Sequence, residues 1–242
     1  MPAWNVQRSL VTVATDAEVP AVSASPPLRP PPGLASALTV PPRGRQGRLV
    51  EQAGMSLGMT GGMRLGIADH FGWAVAVTAA ADHEVVDRRR IELIEPGMPT
   101  APIHHDSHRL DVAATEALLA RVRASVLRAA SGALDELAIA LPEPIVSMSL
   151  RAWPLDFPQD VAVQRRAPYE ARADAIMYRQ VLAECAHARG WDVHFYIAKD
   201  VEGQAVTKLA GRADEVLRGP RAAIGPPWAK DHRTALAATI MV

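Results

Sequence analysis

Imidazole and carboxylate side chains set close together suggest metal or proton chemistry, and His104-His105-Asp106-Ser107-His108 is the densest such stretch. Nitrogen and oxygen donors of this kind suit Zn²⁺ or another transition metal. A structural zinc site, however, draws its ligands from separated positions, and this chain has a single cysteine, Cys185, so no cysteine pair accompanies the histidines. The competing reading is a loop whose Ser107 or Asp111 caps the helix that follows. Arg88-Arg89-Arg90 and Arg165-Arg166 are short basic runs of the sort that contact phosphates without reading sequence. Arginines in strands equally form a solvated face or guard a sheet edge. Trp153, Trp228 and Phe157 suit a core better than a base-stacking platform. Asp156 and Asp160 are loop acids of a common kind. No phosphate-binding loop, dinucleotide fingerprint or nucleophile elbow occurs.

The elements that must position these residues begin near Met63. Arg64 to Asp69 reads as a strand, His70-Phe71-Gly72 as a turn and Trp73 to Ala79 as a second strand. Ala81-Asp82-His83 is another turn, and Glu84 to Ile94 is a third extended segment, which completes an antiparallel meander. A loop runs from Pro96 to about His108. Leu118, Val122, Val126, Ala129, Ala133 and Leu137 then fall at helical spacing between Asp111 and Leu141, with Pro142 and Pro144 as the stop. Ile145 to Leu150 suits a buried strand, and an irregular segment, Arg151 to Ala167, follows it. A second helix from Pro168 places Met177, Val181, Cys185 and Ala188 on one face and ends at Gly190. Asp192 to Tyr196 is a strand, a third helix spans Asp200 to Leu217, and a last one begins near Pro227 with Leu236 and Ile240 buried. The order is β-β-β-α-β-α-β-α-α, an α/β domain over residues 63–242.

Residues 1–62 read differently. They hold nine of the twenty prolines and one aromatic, Trp4, with the run Ser25-Pro26-Pro27-Leu28-Arg29-Pro30-Pro31-Pro32-Gly33. Proline removes backbone donors and fixes φ, and too little apolar surface is present to offset the entropy of ordering. The expectation is a disordered leader: a tail, an arm offering a proline-rich ligand, or sequence ahead of a true start at Met55, Met59 or Met63. Lys+Arg and Asp+Glu balance at 26 each, so no global charge points to nucleic acid or membrane. No apolar run is long enough for a membrane span, and one cysteine fits a reducing compartment, so the cytoplasm is expected.

Three stretches carry a resemblance to a known family. Leu65 to Val75, with Asp69 ending the opening strand, is similar to the first hairpin of the ribonuclease H-like superfamily, in its Holliday-junction resolvase branch. Tyr178 to Ala198 resembles that branch's helix followed by a strand, and Trp228 to Ala237 resembles its closing helix. The resemblance implies a mixed five-stranded sheet flanked by helices and a nuclease cutting DNA or RNA phosphodiesters with Mg²⁺ or Mn²⁺. It also implies that Asp69 and Asp231 are metal ligands, with His232 as auxiliary ligand or proton shuttle. Resolvase relatives pair, which implies a homodimer. Hard cations need several converging carboxylates. This chain departs from that pattern: Ser149 stands about where the fourth strand's acid belongs, and Thr234 where a second acid of the last helix belongs. That departure keeps a second reading open, a noncatalytic module of the same fold that binds nucleic acid or a protein partner.

Overall fold

The computed structural model describes residues 61–242, so the leader and the starts Met55 and Met59 lie outside the described residues. β1 (Met63–Asp69) and β2 (Trp73–Ala79) pair antiparallel around His70-Phe71-Gly72, where Gly72 takes φ +81°. Glycine enters that left-handed region without steric cost. β3 (Val85–Glu92) completes the meander. It stops short of the expected Ile94, although the Leu93 N–H still donates to the Gly72 carbonyl at 2.8 Å, the next pair in register after Trp73 and Glu92. After α1 (Val112–Ala140), β4 (Ile145–Arg151) returns parallel to β1. α2 (Val161–Gln164) and α3 (Glu170–Ala188) then lead to β5 (Asp192–Tyr196), parallel to β4. The result is a mixed five-stranded sheet in the order β3-β2-β1-β4-β5. α4 (Val201–Leu209), α5 (Ala213–Arg218), α6 (Pro220–Ile224) and α7 (Lys230–Ile240) finish the chain.

Alternation along β1 divides the domain into two layers, since successive strand side chains point to opposite faces. Leu65 and Ile67, with Ala74 and Ala76 of β2, join Val122, Leu134, Tyr178 and Leu182 of α1 and α3 in one core. Ala68, Val75 and Val77 join Ala235, Leu236 and Ile240 of α7 in the other. Gly66 belongs to this second face. A Cβ there would lie 1.9 Å from the Ala235 carbonyl oxygen, so α7 rests directly on the β1 backbone.

Several expected boundaries shift for local reasons. The single helix expected over Asp200–Leu217 breaks where Ala210 takes φ +50° beside Gly211, and continues as two short helices. The last helix starts at Lys230 rather than Pro227, because two prolines and an extended Ala229 precede it. The Pro96–His108 loop contains a π-helical turn over Pro102–Asp106 and a 3₁₀ turn over Ser107–Arg109. The buried stripe of α1 runs through Val122, Val126, Ala130, Leu134 and Leu137, drifting one residue from the expected Ala129 and Ala133. No helix among the described residues is long and apolar enough to cross a membrane.

Candidate functional site at the end of the first strand

Asp69 closes β1 in step with Leu65 and Ile67, so its carboxylate turns toward the α1/α3 layer. There it is almost wholly buried, with a side chain 2% exposed. Its Oδ2 accepts from the Arg179 Nε of α3 at 2.8 Å, and that guanidinium is itself buried. Oδ1 lies 3.7 Å from the Nε of Arg151, the last residue of β4; neither atom has a hydrogen-bond partner. Two guanidinium groups thus surround one carboxylate. The Tyr196 hydroxyl, β5's register partner of Arg151, donates to the Ile67 carbonyl at 2.7 Å, and burial together with the Asp69 charge pushes its pKa up to about 12.

Asp231 reaches the same end of the sheet from the opposite face. α7 covers Gly66 and Ala68, and the next residue of that parity is His70, whose Nε2 lies 3.0 Å from Asp231 Oδ2. The His70 ring stacks on Trp73 at 4.1 Å, and the Arg90 guanidinium lies 4.2 Å over the same indole. The fold therefore brings β1's end and α7's first turn together but gives each carboxylate its own partner. Asp69 and Asp231, the two ligands that the resemblance implies, thus have separate partners in this structure. Among the described residues no three His, Cys, Asp or Glu side chains group as metal ligands.

His232 has a structural task. Its Nδ1 accepts from the Ala229 N–H at 3.2 Å, at the opening of α7, and its ring lies 5.5 Å from that of Trp228. Burial, reinforced by the Arg88 charge, lowers its pKa, which keeps that nitrogen free to accept. Thr234 is buried in the helix's inner face.

Ser149 is likewise not the fourth-strand counterpart of Asp69. The β1–β4 register sets it opposite Gly66, where its hydroxyl donates to the Ala238 carbonyl at 3.1 Å. The β4 side chain that meets Asp69 is Arg151. A trace of this was present in the sequence: a charged residue immediately ends an otherwise buried strand, as Asp69 does. Arg179, in mid-helix among buried residues, gave no comparable signal.

A divalent ion does not fit this donor set. It would need several converging oxygen donors, yet one Asp69 oxygen faces Arg179 at 2.8 Å and the adjacent strand supplies a cation in place of a further acid. The histidine cluster offers no remedy. His104, His105, Asp106 and His108 are exposed, and the loop is pinned by Asp174 of α3, which accepts the Ile103 and His104 N–H groups at 3.0 Å each. Burial raises the Asp174 pKa against the pull of those two donors. Asp111 caps α1 through the Ala114 N–H.

Arg88, Arg89, Arg90 and Arg165 of the basic runs are engaged within the chain. Arg88 donates to the carbonyls of Ile224, Pro226 and Pro227, Arg89 pairs with Asp87 and Arg90 with Glu92. Arg165 donates to the carbonyls of Ser107 and Leu110. Trp228 and Phe157 are buried, and the Trp228 indole donates to Leu217; Trp153 packs edge-on against Phe195. Asp160 caps α2, and Asp156 is exposed.

No family model matches the sequence, and no curated protein matches it. Two solved structures are similar in shape. RuvC of Thermus thermophilus in complex with a Holliday junction substrate is 14% identical, with a TM-score of 0.38 over 74% of this chain and 90% of that one. A second structure of Thermus thermophilus RuvC is 14% identical at a TM-score of 0.37, covering 74% of this chain and 91% of that one. Superpositions this loose carry no activity across.

Proposed function

We propose that residues 61–242 form a noncatalytic ribonuclease H-like domain that works by binding, with a protein rather than a nucleic acid as its partner. The element order and the β3-β2-β1-β4-β5 sheet with α7 laid on β1 support the fold assignment. The observation that carries the functional reading is the pairing of Asp69 with Arg179 and Arg151. A carboxylate built to hold Mg²⁺ or Mn²⁺ stands among other acids, and here guanidinium groups already balance its charge.

The choice of a protein partner rests on what the surface offers. The two basic runs are largely tied to this chain's own carbonyls and carboxylates, which leaves little for a phosphate backbone. The two sheet edges also differ. β3 is lined with Asp87, Arg88, Arg89, Arg90 and Glu92, the charged edge that discourages strand addition. β5 and the segments beside it expose Phe195, Ile197 and Leu155 instead. With Asp192 as the one charged residue of the strand, an edge of this kind accepts an extended polypeptide segment more readily than β3 does.

A metal-dependent nuclease remains the second reading. It is favoured by one observation, the meeting of α7's Asp231 with the end of β1 through His70. The test is a panel of branched DNA, single-stranded DNA and structured RNA offered to the full chain with Mn²⁺ or with EDTA. The expected outcome is neither cleavage nor salt-sensitive binding. Cleavage that needs both Mn²⁺ and Asp69 would overturn the proposal.

A further inference from the structure

β5 stands at one edge of the sheet, and β4 is the one strand paired with it among the described residues. The Tyr196 carbonyl accepts from the Ala152 N–H, just past the end of β4, at 2.8 Å. Along a strand the backbone N–H and C=O groups of successive residues turn to opposite edges. Those of Val193 and Phe195 therefore point away from β4, to the open side. A row of such groups is what an added strand pairs with.

The two faces of β5 would meet that strand with different chemistry. Val193 packs against the α1/α3 core, and Phe195, of the same parity, lies edge-on to Trp153. Phe195 and Ile197 are 55% and 53% exposed, and Leu155, two residues beyond Trp153, is almost wholly exposed. Tyr196 belongs to the opposite core, beneath α4 and α7, so Asp192 and His194 share that second face. Asp192 is exposed, carries the strand's one charge and forms no ion pair among the described residues. An added strand sets one of its side chains directly beside each β5 residue, on the same face. An apolar side chain beside Val193 or Phe195 takes exposed apolar surface out of water. A Lys or Arg beside Asp192 completes a cross-strand ion pair, whereas an Asp or Glu there meets a like charge.

We infer that the β5 edge takes an extended segment of a partner protein in which apolar and basic residues alternate, the apolar face laid along Val193 and Phe195 and a Lys or Arg set beside Asp192. The inference rests on the protein-binding reading given above and adds to it the chemistry of the partner.

The test offers the full chain three blocked heptapeptides, alternating lysine with valine, glutamate with valine, and lysine with proline. Affinity is read by calorimetry, and pairing by amide hydrogen exchange at Val193 and Phe195. The lysine–valine peptide is expected to bind saturably and to slow exchange at both amides. The glutamate–valine peptide binds about threefold to tenfold more weakly, the size of one exposed ion pair gained and one like-charge contact avoided. Asp192→Asn, an exposed change that leaves the fold intact, closes that gap without abolishing binding. The lysine–proline peptide keeps the charge, lacks the proline N–H groups and leaves the two amides unprotected. Equal affinity for the lysine and glutamate peptides, with both amides protected, would overturn the inferred chemistry and leave the protein-binding edge standing. Exchange unchanged by every peptide would overturn the inference together with the use of β5 as a docking edge. Slowing of the same amides with protein concentration alone would assign the edge to a second copy of this chain and equally overturn it.

Discussion

Arg179→Met separates the two accounts of Asp69. In the native domain the Asp69 and Arg179 side chains are 2% and 10% exposed and 2.8 Å apart. Methionine keeps much of the aliphatic stem and removes the charge, which leaves a buried carboxylate with only Arg151, 3.7 Å away, to balance it. Removing one member of a buried pair costs about 3–5 kcal/mol. The surviving Arg151 places this case near the lower end, about 3 kcal/mol, a large share of the roughly 5–15 kcal/mol that holds a domain folded. Asp69→Asn also destabilises, because it leaves Arg179 buried opposite a neutral amide. The double replacement Asp69→Leu with Arg179→Met recovers most of the loss, since apolar substitutes for a whole buried pair are often neutral. Urea unfolding of the full chain, followed by far-ultraviolet circular dichroism, completes the double-mutant cycle. A cost below about 1 kcal/mol for Arg179→Met would refute the reasoning. So would an increase in stability on Asp69→Asn, the signature of relieved repulsion among acids.

Other perturbations test the surrounding frame. Gly66→Ala drives a methyl into the Ala235 carbonyl and must lift α7 from the sheet, at a cost of about 3 kcal/mol or more in the same unfolding assay. A variant as stable as the parent would mean that α7 does not rest on β1. Asp174→Asn leaves two N–H groups competing for one acceptor, which should speed amide hydrogen exchange across Ile103 and His104 by tenfold or more on the usual worth of such bonds. The lowered pKa values of His83 and His232 have a definite sign. Their neutral forms belong to the folded state, so the stability they contribute is full above the unfolded value of 6.5 and is lost as pH falls through the lower folded values. Unfolding midpoints at pH 7.5 and pH 5.5 should therefore differ less in His232→Gln than in the parent. An equal difference would remove His232 from that role.

How far the sequence revealed the domain follows from how local each determinant is. β2 and β5 were legible to the residue, β2 because turns bound an apolar run and β5 because its residues alternate. The buried face of α7, with Leu236 and Ile240, followed from helical spacing. The break at Ala210 was not legible, since it depends on a backbone conformation that alanine seldom adopts. Nor was the π-helical turn at Pro102, whose N–H groups are held by an acceptor seventy residues away in α3. At the candidate site, sequence pointed to the end of β1 and to α7 but could not say which face of β1 each residue would meet. Alternation sends Asp69 to Arg179 and His70 to Asp231, and a β1–β4 register visible only in three dimensions replaces Ser149 by Arg151 as the neighbour. Asp69 and Asp231 thus each meet a partner of their own.

Mn²⁺ titration of the full chain, with free ion counted by electron paramagnetic resonance, tests the central claim most directly. If Arg179 and Arg151 balance Asp69, the protein takes up no Mn²⁺ with saturation beyond what Asp69→Asn takes up. Stoichiometric binding of one or two ions that disappears in Asp69→Asn would contradict the account and return Asp69 to a metal centre.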